Sequence, residues 1–176
     1  MIESILFKVP MWTLPTLNFK DKKPQLQKLV KSFPEKKHGL QNFATNRQSN
    51  RSGFAEAFSN IMSEELNMLS QKLKKNIHLR DIWSVSYKKG DYHSPHDHGA
   101  TGLSGIMYLD MPEDAPVTQY LQPWNDIHTG NTIYYPYKVS EGMLVVVPSF
   151  IKHFTTPNTS KKIKRVIAWD MEILDA

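Results

Sequence analysis

The stretch YHSPHDHGATGLSGIMYL, residues 92–109, holds three of the seven histidines of the chain within six positions. Residues i and i+2 of an extended segment point to the same side, so His96 and His98 would project together while Asp97 points away. Two neighbouring imidazoles can take adjacent positions around an octahedral metal ion, and a third ligand must then come from a distant part of the chain. His153, in PSFIKHFTTPN just after an apolar run, is the best candidate. Imidazole suits iron, zinc, copper and nickel, so the ligand type alone does not select the metal.

The other histidines are weaker candidates. An isolated histidine in a polar loop is more often a surface residue, but an H-x-H pair joined by a distant histidine at another strand's end favours a metal site. His93 precedes His96 by three residues and would need a bend to ligate, so we expect it beside the metal or facing a substrate. His38, His78 and His128 have no partner nearby in sequence and are expected to be structural or exposed, with His128 a further candidate for substrate contact.

The composition excludes several other kinds of site. The chain has 176 residues, 40% hydrophobic and 22% charged, which is typical of one globular domain spanning residues 1–176. It has no cysteine, and this rules out disulfides, zinc–thiolate sites and cysteine nucleophiles. The net charge is +5, but the lysines are spread over several clusters, which argues against a nucleic-acid partner.

Nothing in the sequence predicts a membrane or secretory protein. No apolar run approaches the ~20 residues of a membrane-spanning helix. The N-terminal residues, with Glu3 and Pro10, do not resemble a signal peptide. The predicted location is therefore the cytoplasm.

The first half of the chain is predicted to be mainly helical. Residues 4–12 form a short strand or extended arm that Pro10 interrupts, and this strand could pair across a homodimer. Apolar residues at helical spacing predict helices over 23–33 and 54–75, separated by a polar loop. The apolar stripe of the second helix is long and continuous, so we expect it to pack against a sheet.

From residue 79 the apolar period changes to two, which indicates strands. The predicted strands cover 79–87, 104–111, 117–121, 132–139, 142–150 and 162–174. Antiparallel strands on a helical support predict an α+β fold with a closed or nearly closed, jelly-roll-like barrel. We assign residues 1–78 to the N-terminal arm and supporting helices, and residues 79–176 to the barrel core.

Two known families share parts of this pattern, and both fold as a double-stranded β-helix. The segments G-DYHSP-HDH and G-MLVVV-P-SFIK-H resemble the two halves of the cupin signature, but the expected glutamate and one glycine are missing. The run from Trp83 to Trp169 is more similar to the 2-oxoglutarate/Fe(II) oxygenases, in particular the bacterial and phage group related to prolyl 4-hydroxylases. The resemblance rests on LFKVPMW, WSVSYKKGD before HDH, LSGIMYL, VVVPSFIKH and KRVIAWD in that order.

This resemblance implies a metal centre with an unusual ligand set. Enzymes of the group hold Fe(II) with H-x-D/E and a distal histidine, which leaves open positions for 2-oxoglutarate and dioxygen. His96 matches the first ligand and His153 the distal one. The position of the usual carboxylate holds His98, so the ligand set is one negative charge short. Asp97 could supply the carboxylate only if the backbone rotated out of strand geometry, and the second ligand remains a choice between these two residues.

The resemblance also implies the site of the cosubstrate and the reaction. Arg165 matches the cation that pairs with the far carboxylate of 2-oxoglutarate, Tyr108 matches a hydrogen-bond donor to the same group, and Tyr87 matches a tyrosine that lines the pocket. The implied activity couples decarboxylation of 2-oxoglutarate, to succinate and CO2, with hydroxylation of a peptide side chain or small molecule. The substrate would approach between the H-x-H strand and segment 112–141, which carries the aromatic residues Trp124, Tyr134, Tyr135 and Tyr137.

Two alternatives stay open at this point. One is a cupin-type protein whose three-histidine centre uses dioxygen without 2-oxoglutarate. The other is a barrel module without catalytic activity, which the absence of the carboxylate ligand favours.

Overall fold

The computed structural model describes residues 8–38, 42–134 and 137–174, which form three helices and eleven strands. The helices are α1 (Phe19–Ser32), α2 (Phe54–Ile61) and α3 (Ser63–Leu73). The strands are β1 (Trp12–Pro15), β2 (Lys36–Lys37), β3 (Ala44–Thr45), β4 (Asn76–Tyr87), β5 (His93–His96), β6 (Leu103–Asp110), β7 (Gln119–Asn125), β8 (Thr132–Tyr134), β9 (Met143–Pro148), β10 (His153–Thr155) and β11 (Lys164–Leu174).

The strands form two antiparallel sheets. The larger sheet has seven strands in the order β1-β9-β6-β11-β4-β3-β2, and the smaller has four in the order β5-β10-β7-β8. Side chains from the facing sides of the two sheets form one buried cluster, which includes Trp83, Val85 and Tyr108 from the large sheet and Tyr120 from the small one. This arrangement confirms the predicted α+β class and double-stranded β-helix.

The helices cover the outer face of the seven-stranded sheet. Their apolar stripes bury Leu26, Phe54 and Phe58 completely against sheet residues such as Trp169. Each of these fully buried side chains stabilises the fold by roughly 1.5–3 kcal/mol. Among residues 8–38, 42–134 and 137–174, no helix has the length and apolar character needed to cross a membrane.

Several element boundaries differ from the prediction. The stripe predicted as one helix over 54–75 is two helices, because the chain leaves helical geometry at Met62, which is itself fully buried. The region predicted as loop contains β2 and β3, which extend the large sheet. The N-terminal strand β1 follows Pro10 instead of preceding it, and residues 4–7 of the predicted arm lie outside the described residues.

Strand β11 lies in the interior of the large sheet, between β6 and β4, and contributes to both cores. Because side chains alternate along a strand, its residues divide into two sets. Val166 and Ala168 belong to the cluster between the sheets, whereas Ile167 and Trp169 belong to the cluster under the helices. This alternation decides which polar residues of β11 can face the barrel interior.

Gly105 on β6 is required by the packing of Trp169. A Cβ atom at this position would lie 2.1 Å from Cε2 of the buried indole, closer than two carbon atoms can pack. We expect Gly105→Ala to lower the free energy of unfolding by about 1–3 kcal/mol, measured by urea denaturation. An unchanged denaturation midpoint would show that the indole does not pack on this glycine.

Candidate metal centre

Three histidines converge at one end of the barrel. His96 at the end of β5 and His153 at the start of β10 are direct partners in the small sheet. His98 lies two residues beyond β5, where its backbone N–H donates to the carbonyl oxygen of Ser149 at 2.9 Å. One ring nitrogen from each histidine lies within 4.8 Å of the others, so the three can share a single metal ion.

In each of the three rings, Nδ1 lies within hydrogen-bond distance of an oxygen acceptor. His96 Nδ1 lies 2.8 Å from the carbonyl oxygen of Ser94, and His153 Nδ1 lies 3.0 Å from that of Ile151. His98 Nδ1 contacts Oδ1 of Asp170 at 2.5 Å. An Nδ1–H that donates to such an acceptor leaves the lone pair of a neutral ring on Nε2. The three rings are therefore set in the tautomer that ligates through Nε2.

The Nε2 atom of His98 gives a direct sign of the fit to a metal. It is buried and has no hydrogen-bond partner among the described residues, although buried polar atoms almost always have one. A bound metal ion would accept the lone pairs of these buried imidazole nitrogens and so satisfy them. The residues present thus fit a metal such as Fe(II).

Burial keeps two of these rings uncharged. Desolvation, followed by the neighbouring His96, lowers the pKa of His153 to about 3. Desolvation also lowers the pKa of His96, against the hydrogen bond to Ser94. Both rings are neutral at physiological pH, as metal ligation requires.

The structure distinguishes between the two residues proposed for the second position. Asp97 is exposed, and its carboxylate accepts a hydrogen bond from the backbone N–H of Gly99 at 3.2 Å. It therefore points away from His96 and His153, whereas His98 lies next to both.

A buried carboxylate lies behind His98. Asp170, on the barrel-facing side of β11, accepts hydrogen bonds from His98 and from Ser104 Oγ at 3.0 Å. Burial alone raises the pKa of this carboxyl, but the hydrogen bonds from His98 and Ser104, with the nearby Arg47, outweigh it and the net pKa is lowered. Asp170 is therefore an anion beside His98, one ring of the histidine cluster.

A lysine occupies the opposite end of the same strand face. Lys164 is fully buried, and its ammonium donates to the carbonyl oxygen of Pro116 at 2.7 Å. It lies 5.2 Å from the ring centroid of Tyr87 and 5.7 Å from that of Tyr108. Desolvation lowers the pKa of Lys164 to about 7. No carboxylate is paired with it among the described residues.

An apolar cavity extends from the three histidines into the barrel. Most of its wall is aliphatic or aromatic, and a few hydroxyl groups are the exception. The residues that line it include Trp83, Val85, Tyr87, His93, Ile106, Thr118, Tyr120, Val147, Thr155, Val166 and Ala168. Tyr87, predicted as a pocket residue, is one of them. Tyr108, the other predicted tyrosine, is fully buried and shares a hydrogen bond with Tyr137 at 2.8 Å.

The structure does not bring Arg165 to this cavity. Its guanidinium pairs with Asp110 at 2.9 Å and donates to Ser86 at 2.9 Å. The reason is the alternation along β11, which turns Arg165 away from the barrel interior and turns its neighbour Lys164 inward. The buried cation on the barrel side of β11 is Lys164, one residue before Arg165, and the two predicted tyrosines flank it.

His93 lies beside the histidine cluster and contributes to the cavity wall. Its ring stacks on that of His96, with centroids 3.9 Å apart, and its Nδ1 lies 3.3 Å from the Tyr87 hydroxyl. Desolvation and the neighbouring histidines lower the pKa of His93 to about 2, so the ring is neutral. His78 and His128 are exposed, and half-buried His38 stacks on Phe43.

The aromatic segment predicted near the substrate is only partly at the surface. Trp124 and Tyr134 on the β7–β8 hairpin are exposed, whereas Tyr137 packs on Tyr120 inside the barrel, with ring centroids 5.4 Å apart. Tyr135 lies outside the described residues.

The sequence matches a family model described as "Putative 2OG-Fe(II) oxygenase" over residues 81–170, half of the chain. The matched span begins in β4 and ends at Asp170 in β11, so it includes all three histidines of the cluster. No curated protein sequence matches the chain.

Solved structures share the fold at low sequence identity. An oxidoreductase of the 2OG-Fe(II) oxygenase family from Burkholderia pseudomallei superposes with a TM-score of 0.69 at 9% identity, over 92% of this chain and 84% of the other. A prolyl-4-hydroxylase from Pseudomonas putida gives 0.60 at 13% identity, over 92% of each chain. HygX from Streptomyces hygroscopicus gives 0.68 at 9% identity, over 93% and 83%.

At these identities the structural likeness concerns the fold, and the sequence match establishes the family. The predicted resemblance is confirmed: the chain belongs to the 2-oxoglutarate/Fe(II) oxygenases, a family of oxidoreductases that use Fe(II) and 2-oxoglutarate.

Proposed function

We propose that this oxygenase is a hydroxylase of a peptide side chain or small molecule, with His96, His98 and His153 as the iron ligands. The observation that carries the proposal is the convergence of three imidazole nitrogens within 4.8 Å, one of them buried without a hydrogen-bond partner. Three ligands on one side of the ion leave open positions, which a non-haem oxygenase needs for its cosubstrate and dioxygen.

Lys164 is the residue that we propose for the far carboxylate of 2-oxoglutarate. It is buried on the same face of β11 as the cavity-lining Val166 and Ala168, and its charge has no carboxylate partner in the part of the chain that the structure describes. A buried ammonium without a counter-ion is costly. The anionic end of a dicarboxylate that enters the cavity would relieve that cost, while its other end reaches the metal.

The protein residues also shape how the cosubstrate lies. Tyr87 and Tyr108 confine the lysine between their rings, and the aliphatic wall excludes water from the carbon chain. The cavity measures only about 30 Å³, so binding of 2-oxoglutarate requires lining side chains to move outward. When bound, Fe(II) with 2-oxoglutarate and dioxygen supplies the oxidising power for hydroxylation.

A second cavity adjoins the metal cavity and is the proposed substrate site. It has a volume of about 230 Å³ and shares Tyr120 and Val147 with the first cavity. Residues of the N-terminal segment and of strand β7, including Met11 and Trp124, line its outer part. Its mixed aromatic and apolar wall suits a peptide side chain or a compact organic molecule. Structural neighbours are compatible with either, since they include a prolyl-4-hydroxylase and a protein with hygromycin B bound.

The affinity for 2-oxoglutarate is expected to fall as the pH rises above 7. In the free protein the pKa of Lys164 is about 7, and a bound carboxylate raises it by favouring the ammonium. Binding above pH 7 therefore requires uptake of a proton, and the dissociation constant should rise about tenfold per pH unit until the pKa of the complex is reached. Calorimetry at pH 8 in buffers of different ionisation enthalpy should show uptake of nearly one proton. Binding without proton uptake would exclude this role for Lys164.

Anaerobic titration of the protein with Fe(II) and 2-oxoglutarate tests the proposed function. We expect a weak visible metal-to-ligand charge-transfer band that appears only when both are present. Tight Zn(II) binding without such a band would contradict the proposal. Oxygen consumption independent of 2-oxoglutarate would instead support a cupin-type reaction, which the three-histidine ligand set favours as the second candidate.

A further inference from the structure

The three histidines of the cluster, His96, His98 and His153, differ in the group that their Nδ1 atoms contact. His96 and His153 direct Nδ1 at backbone carbonyl oxygens, which carry no net charge. His98 directs Nδ1 at the carboxylate of Asp170. A carboxylate behind a ligating imidazole makes the ring a stronger electron donor and fixes its orientation. The three proposed ligands are therefore not equivalent.

The surroundings of Asp170 hold one of its oxygens on His98. The residue is almost completely buried, and Oδ1 receives both the contact with His98 Nδ1 and the hydrogen bond from Ser104. The hydroxyl groups of Ser104 and Ser149 share a hydrogen bond, with 3.0 Å between the oxygens. Two half-exposed arginines lie farther away on Oδ2, Arg47 at 3.6 Å and Arg80 at 4.0 Å.

We propose that Asp170, acting through His98, supplies the negative charge that a first-sphere carboxylate would supply to the metal. This inference rests on the proposed role of His98 as a ligand. Three neutral imidazoles leave the full double charge of the cation in a cavity with an apolar wall. An anion one ring away offsets part of that charge, and it does so without occupying a coordination position. Asp170 is thus a positioning and charge-compensating residue, not a ligand.

The contacts with the arginines do not account for a buried anion here. Both are longer than the contact with His98, and both arginine side chains are about half exposed, where ion pairs contribute little. The shortest contact of the carboxylate is with His98, the ring whose Nε2 is buried without a hydrogen-bond partner among the described residues. An asparagine could serve a purely structural role at this position, because it would retain an oxygen acceptor for His98 and Ser104. The proposal therefore makes the charge, not the hydrogen bond, the decisive property.

A measurement of metal affinity distinguishes the effect of the Asp170 charge from the effect of its hydrogen bond with His98. Asp170→Asn keeps an acceptor for His98 and removes the charge, and we expect its dissociation constant for Co(II) to rise 10- to 100-fold by anaerobic calorimetry. The matched control is Asp81→Asn, which removes a carboxylate that also faces Arg47 but pairs with arginines and with no histidine in the described part of the chain. The control should stay within threefold of the wild type. An Asp170→Asn protein that binds Co(II) as the wild type does would overturn the proposal.

A measurement on the unmodified chain keeps the proposal testable if the variant does not fold. In ¹⁵N-labelled, Zn(II)-loaded protein we expect three Nδ1–H groups, with the His98 proton farthest downfield because its acceptor is an anion. A His98 proton at the position of the other two, or Zn(II) bound to Nδ1, would contradict the inference. Failure of the wild type to bind any metal would instead refute the proposed function, so the two failures are distinguishable.

Discussion

Lys164→Met is expected to weaken 2-oxoglutarate binding by at least about 100-fold, because it leaves the far carboxylate buried without a partner, a loss of about 3–5 kcal/mol. Methionine is unbranched and only one atom shorter than lysine, so it keeps most of the apolar contacts with the two tyrosines. Metal binding should be unchanged, since Lys164 is not among the histidines of the cluster. Calorimetric titration of the Mn(II)-loaded protein with 2-oxoglutarate measures the effect.

The neighbouring residue provides the matched control. Arg165→Met removes a positive charge from the same strand, but from the side that pairs with Asp110 and Ser86. Its affinity for 2-oxoglutarate should stay within a few-fold of the wild type, with a small loss of stability from the broken ion pair. If Arg165→Met abolished binding and Lys164→Met did not, the assignment of the cation would be reversed.

The same lysine variant should be more stable than the wild type at low pH. Burial lowers the pKa of Lys164 from 10.5 to about 7, so between these values the unfolded chain binds more protons than the folded one. The cost of burying the ammonium is therefore complete below pH 7 and disappears as the pH rises towards 10.5. Replacing the ammonium by the methionine side chain should therefore raise the free energy of unfolding by about 2 kcal/mol or more at pH 6.5, measured by urea denaturation. A variant that is less stable than the wild type at pH 6.5 would contradict this account of Lys164.

His153→Ala is expected to remove most of the metal affinity, with the dissociation constant for Fe(II) or Co(II) rising by more than about 100-fold. His153 is buried at the junction of β5, β10 and β7, and it supplies one of the three ring nitrogens that converge there. Hydroxylation should be lost together with the metal. His128→Ala is the control, since this exposed histidine lies on the β7–β8 hairpin. Retention of wild-type affinity in His153→Ala would remove the third ligand from the proposed site.

The histidine cluster could be predicted because its signal is local. The H-x-H spacing requires only that the segment be extended, and His153 follows a strand whose apolar run is unmistakable in the sequence. The structure adds the pairing of His96 with His153, two residues 57 positions apart in the chain, which depends on the register between β5 and β10. Register of this kind is fixed by the packing of both sheets and has no local sequence signal.

We propose Lys164 as the cation instead of the predicted Arg165, and the difference has a physical reason. An interior strand such as β11 is apolar on both faces, so the sequence VIAW does not indicate which face of the strand is the barrel interior. Arg165 fits the pattern of the family, but the direction of each side chain is decided by Trp169, which packs under the helices against Gly105. Once Trp169 is placed there, alternation puts Lys164 and Asp170 inside the barrel. Asp170 had no sequence signal of its own, because its partner His98 is 72 positions away.

The packing of the second predicted helix on the sheet could be predicted from the sequence, but the helix boundaries could not. The stripe over 54–75 does pack on the large sheet, but the break at Met62 falls at a buried apolar residue with no glycine or proline beside it. The short strands β2 and β3 are two residues each, and so short a segment cannot show an alternating pattern.

Diffraction from crystals grown without oxygen in the presence of Mn(II) and 2-oxoglutarate tests the central claim most directly. We predict one anomalous peak at roughly 2.0–2.3 Å from the Nε2 atoms of His96, His98 and His153, with the cosubstrate running from the metal to Lys164. A metal bound to Asp97, or 2-oxoglutarate directed towards Arg165, would contradict the account.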